Sequence, residues 1–293
     1  MQASPPVVTR FAPSPTGRLH LGHAYAALFA ERHARAAGGR FLLRIEDIDR
    51  GRCRPELEAG IYEDLAWLGL AWEQPVRRHS AHFADYRAAL DRLAARGLVY
   101  PCFCSRKEIQ AEIARAASAP NGLEGPLYPG TCRRLADAAR RARIAAGEPY
   151  ALRLDTARAA AAAGPLSWDD LDRGRIAVEP GILGDVVLGR RDAPASYHLA
   201  VSIDDHLQGV SLVTRGEDLF HATHVHRLLQ ALLGLSVPRW RHHRLLVNEK
   251  GERLAKRDQA TTLAALRAAG HGPAAVRAMA GFPAGPHNQR LPN

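Results

Sequence analysis

The segment that most constrains the fold of this chain is the loop RFAPSPTGRLHLGH at residues 10–23. It overlaps the end of the segment VVTRF, which predicts a strand at 7–11, and its prolines and glycine exclude a helix through the loop. From residue 21 the pattern is helical and ends at two adjacent glycines. His20 and His23 are therefore predicted to lie near the N-terminal end of a helix, where unpaired backbone N–H groups favour a phosphate. The spacing HxxH alone is equally typical of two surface histidines in a loop.

Strand and helix patterns alternate along the rest of the chain. Further strands are predicted at 41–45, 150–154, 182–188, 197–203, 210–214 and 243–247. Helices are predicted at 22–37, 55–68, 81–96, 105–117, 133–146, 219–233, 261–269 and 273–280. Strand-then-helix alternation at both ends indicates an α/β fold with a mainly parallel sheet covered on both faces. The middle of the chain departs from this pattern, since it combines cysteines, short strands and an Ala-rich run at 157–163.

The composition limits the class of protein. Hydrophobic residues make up 46% of the 293-residue chain, which can bury a large core, and no apolar run is long enough to predict a transmembrane helix. The N-terminus lacks a secretory pattern, and four cysteines without one favour the cytoplasm over a disulfide framework. The net charge of +10 favours a polyanionic partner such as RNA, although a general bias toward arginine would give the same charge. Lysine is rare and occurs only at Lys107, Lys250 and Lys256.

Two segments together carry a resemblance to a known family. The loop at 10–23 resembles the HIGH-type signature of class I aminoacyl-tRNA synthetases, in the form of the glutamyl branch. NEKGERLAKRD at 248–258 resembles the KMSKS-type loop of the same class. The two occur in the family's order, and the resemblance covers roughly residues 7–280. It implies an enzyme that uses ATP, with magnesium, to convert glutamate into glutamyl-adenylate.

The resemblance implies roles for the residues of both motifs. His20 and His23 are expected to contact the ATP phosphates, Arg253 to bind ATP, and Lys256 to meet the charge that builds in the transition state. The second motif departs from the family's usual KLSKR, because Ala255 replaces a serine and Arg253 replaces the first lysine. The missing hydroxyl removes one hydrogen bond worth about 0.5–1.5 kcal/mol. We expect the activity to persist, because the second lysine is present.

A pocket for glutamate needs arginines for two carboxylates and an acid for the ammonium group. Suitable residues stand at or beside the C-terminal ends of predicted strands, where ligands bind in open α/β sheets: Arg10, Glu46, Tyr197 and Arg215. The resemblance implies that these four bind glutamate and that Ala12 and Ser14 line the same pocket. Ordinary ion pairing at a sheet edge is the alternative for Arg215 and Glu46.

Three cysteines cluster in the middle of the chain: Cys102, Cys104 and Cys132. Three thiolates suit zinc, but a structural zinc site needs a fourth ligand, and no histidine lies between residues 83 and 197. The residues alone leave open whether these are zinc ligands or buried free thiols. The resemblance supplies the fourth ligand, Tyr128, and implies one structural zinc ion per chain.

The resemblance also implies a domain organisation. The expected fold is a Rossmann-like nucleotide-binding sheet in two halves, 1–97 and 191–258, the second carrying the KMSKS-type loop. An inserted, zinc-bearing subdomain of the acceptor-binding type spans 98–190, followed by short helices at 259–281 and a flexible tail at 282–293. Only 35 residues, 259–293, follow Asp258, so we expect no anticodon-binding domain.

Short members of the glutamyl branch attach glutamate to queuosine in the anticodon loop of tRNA(Asp). By resemblance, the expected partners are glutamate, ATP and the queuosine-bearing anticodon stem-loop of tRNA(Asp), with no membrane and a monomeric chain. Two alternatives remain open. One is a truncated glutamyl-tRNA synthetase that charges the 3′ end of tRNA(Glu), and the other is a non-catalytic RNA-binding paralogue.

Overall fold

The structure, a computed structural model, describes residues 6–115, 121–122, 125–246 and 262–283. Its strands are β1 Val8–Phe11, β2 Arg40–Ile45, β3 Glu73–Arg78, β4 Val99–Cys102, β5 Asn121–Gly122, β6 Gly125–Pro126, β7 Ala151–Leu154, β8 Ser167–Asp170, β9 Gly174–Ala177, β10 Val187–Gly189, β11 Leu212–Gly216 and β12 Arg239–His243. Its α-helices are α1 Leu21–Ala36, α2 Pro55–Trp67, α3 Phe83–Ala95, α4 Arg106–Arg115, α5 Asp137–Ala145, α6 Thr156–Ala163, α7 Tyr197–Leu207, α8 Ala222–Leu233, α9 Leu263–Ala268 and α10 Pro273–Met279.

Parallel strands form the centre of the molecule. β1, β2 and β3 pair in parallel, as do β11 and β12. β11 lies beside β1, because the Ser211 backbone N–H donates to the Val8 carbonyl at 3.0 Å. The two strands run in the same direction, since Arg10 further along β1 reaches the Thr214 carbonyl at 3.1 Å. The spatial order β3-β2-β1-β11-β12 confirms the predicted α/β fold with a parallel sheet.

Helices cover both faces of this sheet. Successive side chains of β1 point to opposite faces, as strand geometry requires. Thr9 faces α1, where its hydroxyl donates to the Ala30 carbonyl at 2.9 Å. Arg10 faces α7, where its Nε donates to Asp205 at 3.0 Å. All four residues of β1 are consequently buried, as expected for a strand that is covered on both faces.

Two smaller groups of strands come from the middle of the chain. β10, β7 and β4 form an antiparallel sheet that ends at Cys102. β8 and β9 form a hairpin whose strand β8 joins the parallel sheet beside β12, with Asp170 opposite Trp240. The Leu171 backbone N–H extends this contact to the Trp240 carbonyl at 2.8 Å. One part of the predicted insertion at 98–190 thus contributes a strand beside β12, paired near the amino end of that strand.

The predicted strand at 197–203 is wrong, because these residues form the first turns of helix α7. Seven consecutive residues of this helix, 199–205, are buried, so the sequence shows no polar face with helical period. The predicted strand at 243–247 is displaced, since β12 ends at His243. The predicted strand at 182–188 is a 3₁₀ turn followed by the short strand β10. Strands β3, β4, β8 and β9 were not predicted, because they are short or carry polar residues that obscure the apolar pattern.

Over the residues that the structure describes, no helix combines the length and the apolar character needed to span a membrane.

Candidate active site and cysteine cluster

A cavity of about 160 Å³ opens at the carboxyl edge of the parallel sheet. It is lined by Arg10, Phe11, Ala12, Ala26, Glu46, Tyr197, Thr214, Arg215, Gly216 and Leu219. Five of the six residues predicted to bind glutamate meet here, and the sixth, Ser14, is not part of the lining. Arg10, Glu46 and Arg215 lie at the ends of β1, β2 and β11, as predicted, whereas Tyr197 begins helix α7.

One buried carboxylate pairs with two of the arginines beside the cavity. Asp205 in α7 accepts from Arg10 Nε at 3.0 Å and from Arg44 Nη1 at 2.8 Å. Burial alone would raise the pKa of Asp205, but the charges of Arg10 and Arg44 hold it below its ordinary value. The two guanidiniums therefore share one fixed anion, which aligns β1, β2 and α7 around the cavity.

Arg215 differs from these arginines, because no carboxylate pairs with it in the described part of the chain. Its Nε donates to His242 Nε2 at 3.2 Å and its Nη1 contacts His226 Nδ1 at 3.1 Å. Its Nη2 donates to the Thr223 hydroxyl, and the Tyr197 phenol is a further hydrogen-bond partner. Burial lowers the pKa of Arg215 below its ordinary value. A buried cation held only by neutral groups favours an anionic ligand in the adjoining cavity.

Glu46 supplies the acid of the cavity. Its carboxylate lies 3.4 Å from Arg44 Nη2, and burial raises its pKa above the ordinary value even though Arg44 and Arg10 oppose the shift. Burial likewise raises the pKa of the Tyr197 phenol, which stays protonated at neutral pH. Arg10 and Arg44 thus pair with Asp205, and Arg44 also faces Glu46 and Asp204, whereas Arg215 has no carboxylate partner among the described residues.

The two motif histidines cap helix α1. His20 is the N-cap residue, and its Nδ1 accepts from the Gly22 backbone N–H at 3.1 Å. His23 Nδ1 accepts in turn from the His20 backbone N–H at 3.2 Å. The expectation that these N–H groups are unpaired is therefore wrong. Because Nδ1 accepts in both rings, the proton of each neutral ring lies on Nε2, which makes Nε2 a donor.

Gly22 fits closely under this cap. A Cβ atom at position 22 would lie 3.0 Å from His20 Cε1, so the His20 ring would have to shift by a few tenths of an ångström to admit it. The ring centroids of His20 and His23 are 3.8 Å apart at an interplanar angle of 34°, so the cap also brings the two rings into contact. The histidines are structural parts of the helix start as well as candidates for phosphate contacts.

The KMSKS-type residues Arg253, Ala255 and Lys256 lie outside the described residues. The described chain resumes at Thr262, which pairs with His20 in an isolated β-bridge. The Leu263 backbone N–H then donates to the Leu19 carbonyl at 2.9 Å. The residues that follow the second motif in sequence therefore adjoin the first motif in space.

The four predicted zinc ligands converge in the middle of the chain. The thiol sulfurs of Cys102, Cys104 and Cys132 all lie within 4.8 Å of one another. The Tyr128 hydroxyl is 3.4 Å from Cys102 Sγ and 3.7 Å from Cys104 Sγ. Gly130 makes this possible, since its left-handed backbone at φ 78° turns the chain so that the Cys132 N–H reaches the Tyr128 oxygen at 2.9 Å.

Three buried groups of the site escaped sequence reasoning: Arg44, Asp205 and His242. Arg44 stands in the otherwise apolar segment FLLRI of β2. Asp205 stands in helix α7, whose largely apolar pattern predicts a strand. A charged residue within an apolar run was the available signal, because a buried charge requires a partner. Their pairing could not be deduced, since Arg44 and Asp205 are separated by 161 residues.

Comparison with known proteins identifies the class. The family described as the catalytic domain of class I tRNA synthetases for E and Q matches residues 6–282, and the chain belongs to this family. It is a ligase of the class I aminoacyl-tRNA synthetase type, and the HIGH-type loop and the parallel sheet described above are parts of that catalytic domain.

Individual relatives show which members of the family this chain is similar to. The Glutamyl-Q tRNA(Asp) synthetase of Rhodobacter capsulatus is 52% identical over 281 residues, which cover 94% of this chain and 100% of that protein. The Glutamyl-Q tRNA(Asp) synthetase of Symbiobacterium thermophilum is 48% identical over 91% of this chain and 83% of its own length. Among solved structures, a glutamate tRNA ligase from Elizabethkingia meningosepticum in complex with its amino acid superposes with a TM-score of 0.72 at 30% identity, covering 87% of this chain and 52% of that one.

Proposed function

We propose that this chain activates glutamate with ATP, without tRNA, and transfers the glutamyl group to queuosine in the anticodon loop of tRNA(Asp). The observation that carries the first half is Arg215, a buried guanidinium at the cavity with no carboxylate partner among the described residues. The second half is supported by the names of the relatives at 52% and 48% identity, both Glutamyl-Q tRNA(Asp) synthetases.

Charge complementarity supports glutamate as the amino acid. The side chains that line the cavity include two guanidiniums, Arg10 and Arg215, and one carboxylate, Glu46, so one positive charge remains among the lining residues. Glutamate carries two carboxylates and one ammonium group, and its net charge balances that remainder. Arg215 suits a carboxylate and Glu46 suits the ammonium group. Glutamine carries one carboxylate fewer and has no net charge, so it would leave one positive charge of the pocket unbalanced.

Adenylate formation requires alignment more than covalent help from the protein. A carboxylate oxygen of glutamate attacks the α-phosphorus of ATP, and pyrophosphate leaves with its electron pair. His20 and His23 donate through Nε2 to phosphate oxygens at the start of α1, and magnesium accompanies the nucleotide. Lys256, aided by Arg253, neutralises the charge that builds on the phosphates.

The first test is glutamate-dependent exchange of pyrophosphate into ATP without any tRNA. We expect exchange with glutamate and at least about a hundredfold less with glutamine, because a buried charge left unpaired costs several kcal/mol. A folded protein that supports no exchange with glutamate would contradict the proposed activation step and favour a non-catalytic RNA-binding paralogue.

The second test identifies the acceptor. Radiolabelled glutamate is offered with tRNA(Asp) from cells able or unable to make queuosine, each with and without the 3′-terminal adenosine and with prior periodate treatment. We expect label only on queuosine-bearing tRNA(Asp), insensitive to loss of the 3′ adenosine and abolished by periodate. Label that requires the 3′ adenosine would transfer the assignment to a tRNA(Glu)-charging enzyme.

We also propose that the four converging residues bind one structural zinc ion. A tetrahedral site with Zn–S near 2.3 Å and Zn–O near 2.0 Å has oxygen–sulfur edges of about 3.5 Å. The distances from the Tyr128 hydroxyl to Cys102 and Cys104, 3.4 and 3.7 Å, bracket that value. Zinc would join the end of β4 to the turn that carries Cys132, which lies 29 residues beyond Phe103. If no metal binds, the three cysteines are free thiols, of which Cys102 and Cys132 are buried and Cys104 is partly buried.

A further inference from the structure

A line of buried hydrogen bonds leads away from the amino-acid cavity to a carboxylate that does not line it. Arg215 Nε donates to His242 Nε2 at 3.2 Å, and His242 Nδ1 lies 2.7 Å from an oxygen of Asp170. The side chains of His242 and Asp170 are 0% and 1% exposed. Asp170 belongs to β8, so this carboxylate reaches the site from the middle of the chain.

The direction of each hydrogen bond in this line is fixed. Arg215 is always a donor, so His242 Nε2 must accept and cannot carry a proton. The proton of the ring therefore lies on Nδ1 and is donated to Asp170. The opposite case, a doubly protonated imidazolium, would set two N–H groups against each other at Arg215. Burial together with the charge of Arg215 lowers the pKa of His242 to about 4, in agreement with a neutral ring at pH 7.

Both groups of the line are held firmly. The second oxygen of Asp170 accepts from the backbone N–H groups of Asp172 and Arg173 at 3.0 and 3.1 Å. The imidazole of His242 packs against the rings of Trp168 and Phe220, whose centroids are 5.7 and 5.1 Å away. Neither group can turn without breaking these contacts.

We propose that Asp170 and His242 are positioning residues of the amino-acid pocket. The Asp170 carboxylate fixes the Nδ1–H form of His242, whose Nε2 holds Arg215 in the cavity wall with no carboxylate directly against it. The neutral ring of His242 thus separates the negative charge of Asp170 from the guanidinium of Arg215. Asp170 still stabilises that guanidinium, which stays available to a substrate carboxylate. This inference rests on the proposed activation of glutamate.

The decisive variant is Asp170→Asn. Two backbone N–H groups require an acceptor at one position, so the amide oxygen must face them and the amide NH₂ must face His242. The imidazole then accepts at Nδ1 and carries its proton on Nε2, which opposes the N–H of Arg215. We expect the KM for glutamate in pyrophosphate exchange to rise about tenfold or more, as loss of a hydrogen bond to a charged group implies, with the KM for ATP unchanged.

The matched control is Asp172→Asn. Asp172 lies in the same turn and pairs with Arg241 at 2.8 Å, but its carboxylate does not contact His242. The Asp172→Asn variant removes the same charge from the same turn. We expect its KM for glutamate to stay within about twofold of the wild type, as expected for a partly exposed charge. An equal rise in both variants would overturn the proposal.

A spectroscopic readout separates positioning from general damage. Nitrogen-15 spectra of histidine-labelled protein, with His242 assigned by its loss in His242→Gln, report which ring nitrogen carries the proton. We expect Nδ1–H in the wild type and Nε2–H in Asp170→Asn. A wild-type ring protonated on Nε2, or an unchanged glutamate KM in folded Asp170→Asn, would overturn the proposal.

If Asp170→Asn does not fold, His242→Gln and His242→Leu replace it. The glutamine amide can accept from Arg215 and donate to Asp170, so its KM for glutamate should stay well below that of His242→Leu. Equal values would overturn the proposal. The tautomer of the wild type is measured without substrate, so an enzyme that fails to activate glutamate would contradict the proposed function and leave that readout intact.

Discussion

At the scale of single residues, the cavity is defined by which buried arginine has a carboxylate partner. Asp205 is shared by Arg10 and Arg44, whereas Arg215 is surrounded by neutral acceptors in the described part of the chain. A buried charge without a counter-ion is costly, and a protein that retains one requires an external partner for it. We therefore propose that Arg215 recognises the substrate carboxylate.

Replacement of Arg215 by glutamine should damage glutamate binding selectively. We expect the KM for glutamate to rise about thirtyfold or more, because loss of one partner of a buried charge pair costs 2–5 kcal/mol. Arg215→Lys should rescue little, since a point charge cannot make the separate contacts to His242, His226 and Thr223. Pyrophosphate exchange measures both, with the exposed Arg239→Gln as the control. A normal glutamate KM in Arg215→Gln would remove this residue from the pocket.

Lys256 is expected to act on the transition state rather than on binding. Lys256→Ala should reduce adenylate formation by roughly 10²-fold or more, as loss of a preorganised charge does, with a much smaller change in glutamate affinity. Steady-state pyrophosphate exchange and glutamate binding measure the two effects separately. Lys107→Ala, on an exposed position of α4, should behave as the wild type. Near-normal turnover without Lys256 would refute its role.

At the scale of elements, the sequence predicts a helix or strand best where local signals alone determine it. The strand–loop–helix unit β1–α1 is predicted correctly because the strand, the turn-forming prolines and the two glycines after the helix each leave their own signal. Helix α7 was mistaken for a strand because seven consecutive residues are buried, and the alternation of Tyr197, Leu199, Val201 and Ile203 imitates strand periodicity. Its burial is a tertiary property that no local pattern contains.

Strand β8 shows the same limit at the site. Its sequence, SWDD, carries two acids and has no apolar alternation, so neither the strand nor the role of Asp170 was predicted. Arg10, Glu46 and Arg215 could be predicted because each stands next to a recognisable strand. His242 could not be assigned, because its partners Asp170 and Arg215 lie 72 and 27 residues away.

The turn that carries Cys132 should depend on metal. Cys104→Ser should lower the zinc content below one ion per chain and lower the thermal midpoint before it alters glutamate activation, because removal of a structural ligand destabilises the fold around it. Elemental analysis of protein prepared without chelators, followed by calorimetry, measures both. Cys53→Ser is the matched control, since Cys53 lies outside the cluster. Wild-type protein that is equally stable with and without metal would refute the zinc site.

The folded state should lose stability as the pH rises, because a carboxyl group of α2 is buried. Asp64 in α2 is buried, accepts no hydrogen bond from the described residues, and lies 3.5 Å from Arg267 in α9. Burial raises its pKa to about 6, although Arg267 opposes the shift. A carboxyl whose pKa is higher in the folded state favours folding when protonated. Its contribution is therefore lost as the pH rises from about 4 to about 6.

Asp64→Asn should remove that loss and increase the free energy of unfolding at pH 7 by about 1–3 kcal/mol. Arg267 keeps a partner in this variant, because Glu63 lies 3.0 Å from it. Denaturant unfolding at pH 4, 5, 6 and 7 measures the effect, with Asp91→Asn at an exposed position of α3 as the control. A variant that is less stable than the wild type at pH 7 would contradict the assignment of Asp64 as a buried, weakly paired acid.

At the scale of the whole molecule, the net charge of +10 bears on the RNA partner. Basic side chains that contact phosphates release counterions, so affinity for tRNA should fall steeply with salt. We expect at least about a tenfold loss between 50 and 200 mM salt for a few phosphate contacts. Filter-binding titrations measure this, and the glutamate KM at the same salt concentrations serves as the control. Affinity independent of salt would argue against an arginine-based RNA surface.

The division between Asp205 and Arg215 also has an evolutionary consequence. Asp205, with its partners Arg10 and Arg44, joins two central strands to α7, so a descendant that lost catalysis would still need these three residues in order to fold. In such a descendant no substrate carboxylate has to be bound, so Arg215 would lower stability without any benefit. Selection would then no longer retain it. Among relatives of this chain, we therefore expect lineages without the activity to be marked by drift at Arg215 against an unchanged Asp205.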